Sequence, residues 1–250
     1  MVTGSSGSGG SPAPDPSIGW HRGVLDVLGS SAIGGARWKR STENPPVHPS
    51  HRPGVTGGAP DSDTAAVTRI VAGSAGGRRL AVPPGERTRP TSDRAREALF
   101  ATLSGLVDLE GARVLDLYAG SGAVGLEAVS RGAAHALLVD ADARAAAVAR
   151  DNAAALGLAD RVTVRRDRVE RVLAGEPEPH ELVFADPPYA LPDEELAGVL
   201  CRLTEGWLAP GAVLAVERSS RGAGPRWPHR VEGLKQRRYG EGTLWYGRFS

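Results

Sequence analysis

The sequence predicts an α/β fold in which a doubly wound, mostly parallel sheet of seven strands ends in an antiparallel hairpin and is preceded by a small N-terminal β-hairpin. The main observation is the alternation of apolar strand patterns with helical patterns between residues 114 and 216. Such alternation is typical of a parallel sheet with helices on both faces. The pattern breaks near the end, where two strand patterns flank Gly240-Glu241-Gly242. This break indicates a terminal hairpin.

Residues 67–106 are expected to form a basic β-hairpin followed by a helix. Two short apolar runs, 68–72 and 79–82, flank a glycine-rich segment, which is a hairpin signature. The oxygens of Thr91, Ser92 and Asp93 suit the N-cap of the helix. Its apolar face is marked at helical spacing by Ala95, Ala98, Leu99, Thr102 and Leu106.

A larger domain, residues 107–250, carries the alternating elements. Strands are predicted at 114–118, 136–140, 161–165, 182–185 and 212–216, followed by the hairpin strands 231–239 and 243–249. Helices are predicted between them at 123–130, 143–156, 169–173 and 194–203. The last of these helices has its leucines and its valine on one side, as expected of a helix that packs on a sheet.

The first 66 residues differ in kind from the rest. They are rich in Gly, Ser and Pro and lack a sustained apolar period, so we expect residues 1–66 to be a disordered extension. One alternative is a basic arm that uses Arg22, Arg37, Lys39 and Arg40 to contact a nucleic acid. Another is that translation begins near Val67, where the composition changes; a peptide from residues 1–60 in the native protein would exclude it.

Composition excludes several classes of protein. Hydrophobic residues make up 40% and charged residues 24% of the 250 residues, as in ordinary soluble domains. The net charge is only +1, so affinity for a nucleic acid would need local clusters of arginine. Cys201 is the sole cysteine, which excludes an internal disulfide and fits a cytoplasmic location. We find no apolar run of transmembrane length and no secretory signal.

A glycine-rich turn joins the first strand of the larger domain to its helix. Gly120, Gly122 and Gly125 satisfy G-x-G-x-x-G, and Asp140 lies about 20 residues further on, at the end of the next strand. Glycines allow a tight turn and a close approach to a ligand, and the acid can hold ribose hydroxyls. The turn therefore indicates an adenosine-containing cofactor, without choosing between NAD and S-adenosylmethionine.

A second motif, Asp186-Pro187-Pro188-Tyr189, follows the predicted strand 182–185. It lies at the carboxyl end of a strand, where open α/β sheets bind ligands. Two prolines stiffen the chain, so that the carbonyl of Pro187 can point outward beside the carboxylate of Asp186. These two acceptors suit the two hydrogens of an amino group, and the ring of Tyr189 can stack on a base.

The two motifs in this order resemble class I amino-methyltransferases with a D-P-P-Y signature, which have a Rossmann-like fold. A closer resemblance, from residue 68 to about residue 249, is to the RsmD family. It rests above all on the R-P-T-x-x-R-x-R-E-A-L-F string from Arg89 to Phe100 and on the string from Tyr118 to Gly132. That family transfers a methyl group from S-adenosylmethionine to N2 of a guanine in 16S ribosomal RNA.

The resemblance implies a role for each motif residue. Catalysis would use Asp186, Pro187, Pro188 and Tyr189. The cofactor would be held by Asp116, Tyr118, Gly120, Ser121, Gly122, Asp140, Asp167 and Thr91. Within this set, Asp140 would accept from the ribose hydroxyls and Asp167 from the adenine amino group. No metal is required, because these motifs offer no cluster of metal ligands.

An arginine-rich stretch precedes the larger domain. Seven arginines lie between Thr68 and Arg96, against only Glu86 and Asp93, and such a cluster can bind phosphates nonspecifically. The candidate RNA ligands are Arg69, Arg78, Arg79, Arg89 and Arg94. The expected partner is 16S ribosomal RNA within the small ribosomal subunit, bound by a monomer with no membrane association.

Three alternatives differ in what they leave unexplained. A DNA adenine-N6 or cytosine-N4 methyltransferase would share the pocket, but the chain has no room for its usual target-recognition domain. An NAD-dependent oxidoreductase would account for the glycine turn and leave the second motif without a role. A non-catalytic RNA-binding module would need no adenosine pocket.

Overall fold

A computed structural model of the chain describes residues 68–83 and 91–250, with the backbone alone for Thr91 and Ser92. The predicted disordered extension, residues 1–66, lies outside the described residues, and so does Arg89. A short antiparallel hairpin, β1 (Thr68–Arg69) and β2 (Arg79–Leu80), opens the described part. The helix α1 (Thr91–Leu103) follows it in sequence.

The central sheet has seven strands in the order β5-β4-β3-β6-β7-β9-β8. The first five of these positions are parallel, whereas β9 lies antiparallel between β7 and β8. The predicted fold class is therefore confirmed. The strands are β3 (Arg113–Leu117), β4 (His135–Asp140), β5 (Val162–Arg166), β6 (His180–Ala185), β7 (Leu208–Ser219), β8 (Val231–Tyr239) and β9 (Gly242–Phe249).

Helices cover both faces of this sheet, because successive residues of a strand point to opposite sides. Val114 of β3 belongs to one apolar core with α1, α2 (Ala123–Ser130) and α3 (Ala143–Leu156). Leu115 belongs to a second core with α4 (Val169–Leu173) and α5 (Asp193–Leu203). The hairpin residues Ile70 and Leu80 lie in the first core, so the hairpin shares the core of the larger domain.

Several element boundaries differ from the prediction because pairing partners extend or shorten a strand. The strand β7 begins four residues before the predicted 212 and ends three after 216, because it pairs with His180 at one end and with Gly242 at the other. A single 3-10 turn, Ala159–Arg161, displaces the start of β5. The helix α1 already begins at Thr91, so the residues predicted to precede it lie in its first turn.

The hairpin packs directly on α2. A Cβ added to Gly73, whose φ is +85°, would lie 1.9 Å from the carbonyl oxygen of Ser130, so only glycine fits there. The side chain of Ser130 accepts a hydrogen bond from the amide of Ala75 and donates one to the carbonyl of Ala72. This contact fixes the hairpin against the helix that starts at the glycine-rich turn.

Candidate active site

The two sequence motifs meet at the carboxyl edge of the sheet. Leu117, which ends β3, is in register with Ala185, which ends β6. The glycine-rich turn and the D-P-P-Y segment therefore leave neighbouring strands at the same level. The chain order reverses at this point, since β4 lies on one side of β3 and β6 on the other. Such a switch point is where doubly wound sheets bind ligands.

The glycine-rich turn is built from backbone that most residues avoid. Tyr118, Gly120 and Gly122 have φ values of 60°, 54° and 77°. A Cβ on Gly125 would lie 2.2 Å from a methyl group of Leu138, so this glycine lets α2 pack closely on β4. The turn delivers the chain to the start of α2, whose first backbone N–H groups have no acceptor within the helix itself.

Two carboxylates hold the turn in place. Asp116 accepts a hydrogen bond from the amide of Gly125 at 2.9 Å. Asp140 accepts from the amide of Gly120 at 2.8 Å and from that of Asp142 at 2.8 Å. Asp116 thus supports the turn through its contact with α2. Asp140 supports the turn as well as standing at the end of β4.

The carboxyl group of Asp116 has a raised pKa. It is 1% exposed, and burial, followed by the nearby charges of Asp186 and Asp140, raises its pKa to about 8 in spite of the hydrogen bond from Gly125. The charge of Asp186 therefore acts on Asp116 across the two strand ends. Acidic side chains at the base of a site favour a cationic ligand, since a positive charge is attracted to their carboxylates.

We expect Asp116→Asn to change how the stability of the free protein depends on pH. The folded carboxyl stays protonated up to about pH 8, whereas the unfolded one ionises near 3.8. This group therefore makes wild-type stability fall between those two values, by about 1.4 kcal/mol per pH unit, and contributes no slope above them. Asparagine keeps an acceptor for Gly125 and removes that slope.

Urea unfolding at several pH values between about 5 and about 9 measures the effect. Stability gained by the variant over wild type should grow up to about pH 8 and then stay level. Asp160→Asn, at an exposed position in the 3-10 turn, is the control and should follow wild type throughout. Parallel curves for wild type and Asp116→Asn would show that the carboxyl is already ionised in the folded protein.

Two further predicted cofactor residues flank the turn. The ring of Tyr118 packs against the second core, and burial raises the pKa of its hydroxyl. Asp167, after β5, donates its amide to the carbonyl of Asp140 at 3.1 Å. Its carboxylate, about one-third exposed, lies 3.6 Å from Arg171. Both Asp140 and Asp167 thus lie at the carboxyl edge of the sheet.

The D-P-P-Y segment is anchored by the buried Pro187 and exposes the side chains of Asp186 and Tyr189. Pro187 is buried, whereas Asp186 and Pro188 are exposed and Tyr189 is 48% exposed. The amide of Asp186 donates to the carbonyl of Leu117 at 3.4 Å, which ties this segment to β3. The D-P-P-Y residues, which the sequence predicted to act on the substrate, therefore follow β6 directly beside the glycine-rich turn.

Arg218, on β7, supports the far end of this segment. It is 8% exposed, and its guanidinium donates to the carbonyl of Leu191 at 3.1 Å and to the carboxylate of Asp193 at 2.7 Å. These contacts hold the chain where it passes from Tyr189 into α5. Sequence reasoning missed this residue, and the signal available was an arginine at an inward position of a strand.

The predicted RNA-binding arginines are in different environments. Arg69, Arg79 and Arg94 are exposed. Thr91, which was predicted to bind the cofactor, begins α1 and is described by its backbone alone. Arg78 donates to the carbonyl of Leu156 at 2.8 Å and to that of Ala155, so in this structure it caps α3. Its neighbours in sequence are better placed to meet a polyanion.

Arg96 was counted in the basic stretch and belongs to the interior instead. It is 5% exposed and pairs with Asp93 at 2.9 Å and with Glu127 at 3.7 Å. Glu127 is fully buried and accepts from the amides of Val71 and Ala72 at 2.6 and 3.0 Å. This ion-pair network joins α1, α2 and the hairpin, and the sequence analysis assigned neither residue that role.

The part of the chain that the structure describes also has a cavity away from this edge, and it has neither a metal-binding cluster nor a membrane-spanning helix. A cavity of about 690 Å³ lies beyond the end of α1, where Phe100, Leu106 and Arg131 line it, and it contains none of the predicted site residues. Within residues 68–83 and 91–250, we find no cluster of three acidic, histidine or cysteine side chains arranged to hold a metal. Nor does any helix there have the length and apolar character to cross a membrane.

Comparison with known proteins agrees with the geometry of the site. The family model described as Conserved hypothetical protein 95 matches residues 68–248. Ribosomal RNA small subunit methyltransferase D of Escherichia coli K12 is 40% identical over 151 residues, 60% of this chain and 73% of that protein. Its namesake from Haemophilus influenzae is 33% identical over 153 residues, 60% of this chain and 77% of that protein.

A solved structure agrees with these sequence relatives. It is described as the methyltransferase yhhF from Escherichia coli, and it is 32% identical to this chain. The match covers 74% of this chain and 98% of that one, with a TM-score of 0.66. The predictions of a methyltransferase and of S-adenosylmethionine as its cofactor are thereby confirmed, and an NAD-dependent oxidoreductase is not supported. The chain belongs to the family described as Conserved hypothetical protein 95, that of the RsmD-type methyltransferases.

Proposed function

We propose that this chain transfers a methyl group from S-adenosylmethionine to the exocyclic N2 of a guanine in 16S ribosomal RNA, at a position of the guanine-966 type. The substrate would be the small ribosomal subunit during its maturation, in the cytoplasm, and the enzyme would act as a monomer. The relatives named as small subunit RNA methyltransferases support the class of substrate. The observation that carries the chemistry is the hydrogen bond from the amide of Asp186 to the carbonyl of Leu117, which puts the D-P-P-Y segment next to the glycine-rich turn at the switch point.

The residues of the turn fit the cofactor. The glycines bring the backbone close enough for the N–H groups before α2 to meet a carboxylate. Asp140, at the end of β4 and partly exposed, can accept from ribose hydroxyls with the lone pairs that Gly120 and Asp142 leave free. The acids around Asp116 suit the positive sulfonium and ammonium groups of the ligand. When bound, S-adenosylmethionine supplies an electrophilic methyl group on a sulfonium sulfur.

The D-P-P-Y residues would prepare the guanine amino group as a nucleophile. The lone pair of that nitrogen is delocalised into the ring, so the free amine is a weak nucleophile. If the Asp186 carboxylate and the Pro187 carbonyl each accept one of its hydrogens, the nitrogen becomes pyramidal and its lone pair is freed. Tyr189 can stack on the base and fix its plane. Fixed acceptors of this kind also stabilise the positive charge that develops on the nitrogen.

The exposed arginines of the hairpin and of α1 would bind phosphates of the RNA. Arg69 and Arg79 lie on paired strands, and Arg94 lies on the first turns of α1. Such contacts position the RNA and carry no base specificity. We infer that the choice of guanine comes from the shape of the RNA within the subunit.

Nucleoside analysis after reaction in vitro tests the proposal. The chain is incubated with S-adenosylmethionine and with small subunits that lack the modification, naked 16S RNA or duplex DNA. We expect N2-methylguanosine from the subunits and little product from the other two. N6-methyladenine or N4-methylcytosine in DNA would establish the alternative substrate class. A strong preference for naked RNA would contradict recognition within the subunit.

A further inference from the structure

Asn152 lies on the buried face of α3 and makes three hydrogen bonds to two distant segments. Its side-chain oxygen accepts from the amide of Ala81 at 2.8 Å. Its side-chain nitrogen donates to the carbonyl of Ala81 at 3.0 Å and to the carbonyl of Ser121 at 3.0 Å. Ala81 directly follows strand β2 of the hairpin, and Ser121 is the middle residue of the glycine-rich turn. One side chain therefore connects the hairpin to the turn.

The chemistry of the three contacts requires an amide at this position. Two of the partners are carbonyl oxygens, which need donors, and the third is an N–H, which needs an acceptor. A carboxamide offers two donor hydrogens and one acceptor oxygen, so every contact uses a different group of Asn152. The side chain is 3% exposed, and water is therefore not available to replace a lost partner.

The packing of α3 on the turn leaves Ser121 little freedom. A Cβ on Gly122 would lie 3.3 Å from the Cβ of Ala149, one helical turn before Asn152. The hydrogen bond from Asn152 holds the peptide carbonyl of Ser121 toward α3. The following N–H, which belongs to Gly122, donates to the carbonyl of Ala119 at 2.8 Å, so the planar peptide between Ser121 and Gly122 is held at both its oxygen and its nitrogen.

We propose that Asn152 is a positioning residue of the cofactor site, which holds the peptide after Ser121 and makes the hairpin a structural part of that site. The inference rests on the proposed function only in that the turn binds the cofactor. It adds that affinity for the cofactor depends on the hairpin through one amide. The identity of the methylated base has no bearing on it.

Two substitutions of Asn152 separate the effect of losing the amide group from the effect of losing side-chain volume. Asn152→Ala removes all three contacts, whereas Asn152→Asp keeps the size of the side chain and the acceptor for Ala81. The aspartate presents an oxygen to the carbonyl of Ser121, so both variants lose the contact to the turn. We expect each to bind S-adenosylhomocysteine at least about tenfold more weakly by calorimetry. The KM for S-adenosylmethionine should rise by a similar factor, with kcat at saturation within about threefold of wild type.

Ser130→Ala is the matched control. Ser130 is also buried and also anchors the hairpin, through Ala72 and Ala75, but its side chain makes no contact with the turn among its hydrogen bonds in the described residues. It should lower the melting temperature and leave the affinity for S-adenosylhomocysteine within about twofold of wild type. If Ser130→Ala weakens binding as much as Asn152→Ala, or if Asn152→Asp binds as wild type, the assigned role is wrong.

Hydrogen exchange on the wild-type protein tests the same idea without a variant. S-adenosylhomocysteine should slow exchange at the amide of Ala81 as well as at Gly120 and Gly122. Protection of the two glycines with no change at Ala81 would overturn the inference. A wild-type chain that does not bind S-adenosylhomocysteine at all would instead contradict the proposed function, so the two failures are distinguishable.

Discussion

Asp186→Ala is expected to lower kcat for methyl transfer by about a thousandfold, while S-adenosylhomocysteine binds as to wild type. The loss follows from the removal of one of the two acceptors proposed for the amino group, and a fixed polar group at a reacting centre is worth about this much. Binding should survive because Asp186 is exposed and the carboxylates of Asp140 and Asp116 accept hydrogen bonds from the amides of Gly120 and Gly125. Its negative charge is also one cause of the raised pKa of Asp116, so its removal should lower that pKa.

A second variant distinguishes the loss of charge from the loss of shape. Asp186→Asn keeps the size of the side chain and one acceptor oxygen, and we expect it to retain more activity than Asp186→Ala. Glu205→Ala, an exposed acid after α5, is the control and should keep full activity. Single-turnover rates with saturating RNA, together with calorimetry of S-adenosylhomocysteine, give both quantities. Near-normal turnover by Asp186→Ala would show that the carboxylate does not act on the substrate.

The sheet and its two motifs could be predicted because their signals are local. Continuous apolar runs in 136–139 and 182–185, and helical spacing in 143–156, are set by neighbours a few residues apart. The four predicted helices of the larger domain match the structure to within one residue at each end. The glycine motif and the D-P-P-Y segment each end a strand, and parallel strands bring such ends to one edge of the sheet.

The supporting residues could not be predicted, because their partners are far away in sequence. Asn152 contacts Ala81, which lies 71 positions earlier in the chain, and Ser121, which lies 31 positions earlier. Glu127 contacts Val71, which lies 56 positions earlier. The sequence shows only a polar residue on an apolar helix face. Arg96 illustrates the opposite error, since an arginine among other arginines suggests a solvated surface. Its actual partners, Asp93 and Glu127, allow it to be buried.

Glu127→Ala is expected to destabilise the protein by about 3–5 kcal/mol, the usual effect of removing one partner of a buried ion pair. The carboxylate of Glu127 is fully buried and accepts from Val71, Ala72 and, at 2.7 Å, Arg131. Alanine leaves the amides of Val71 and Ala72 without this acceptor and removes the ion-pair partner of Arg131, whereas Arg96 keeps its pair with Asp93. For a domain of this size, the melting temperature should fall by about 10 °C or more.

The loss should be concentrated where Glu127 holds the hairpin to α2. Hydrogen exchange in Glu127→Ala is therefore expected to speed up at the amides of Val71 and Ala72 more than in the strands of the sheet. Glu127→Gln keeps one acceptor oxygen and should lose about half as much stability, whereas Glu110→Ala, at an exposed position, should lose almost none. Equal melting temperatures for wild type and Glu127→Ala would mean that the hairpin is held by apolar contacts such as Ile70 alone.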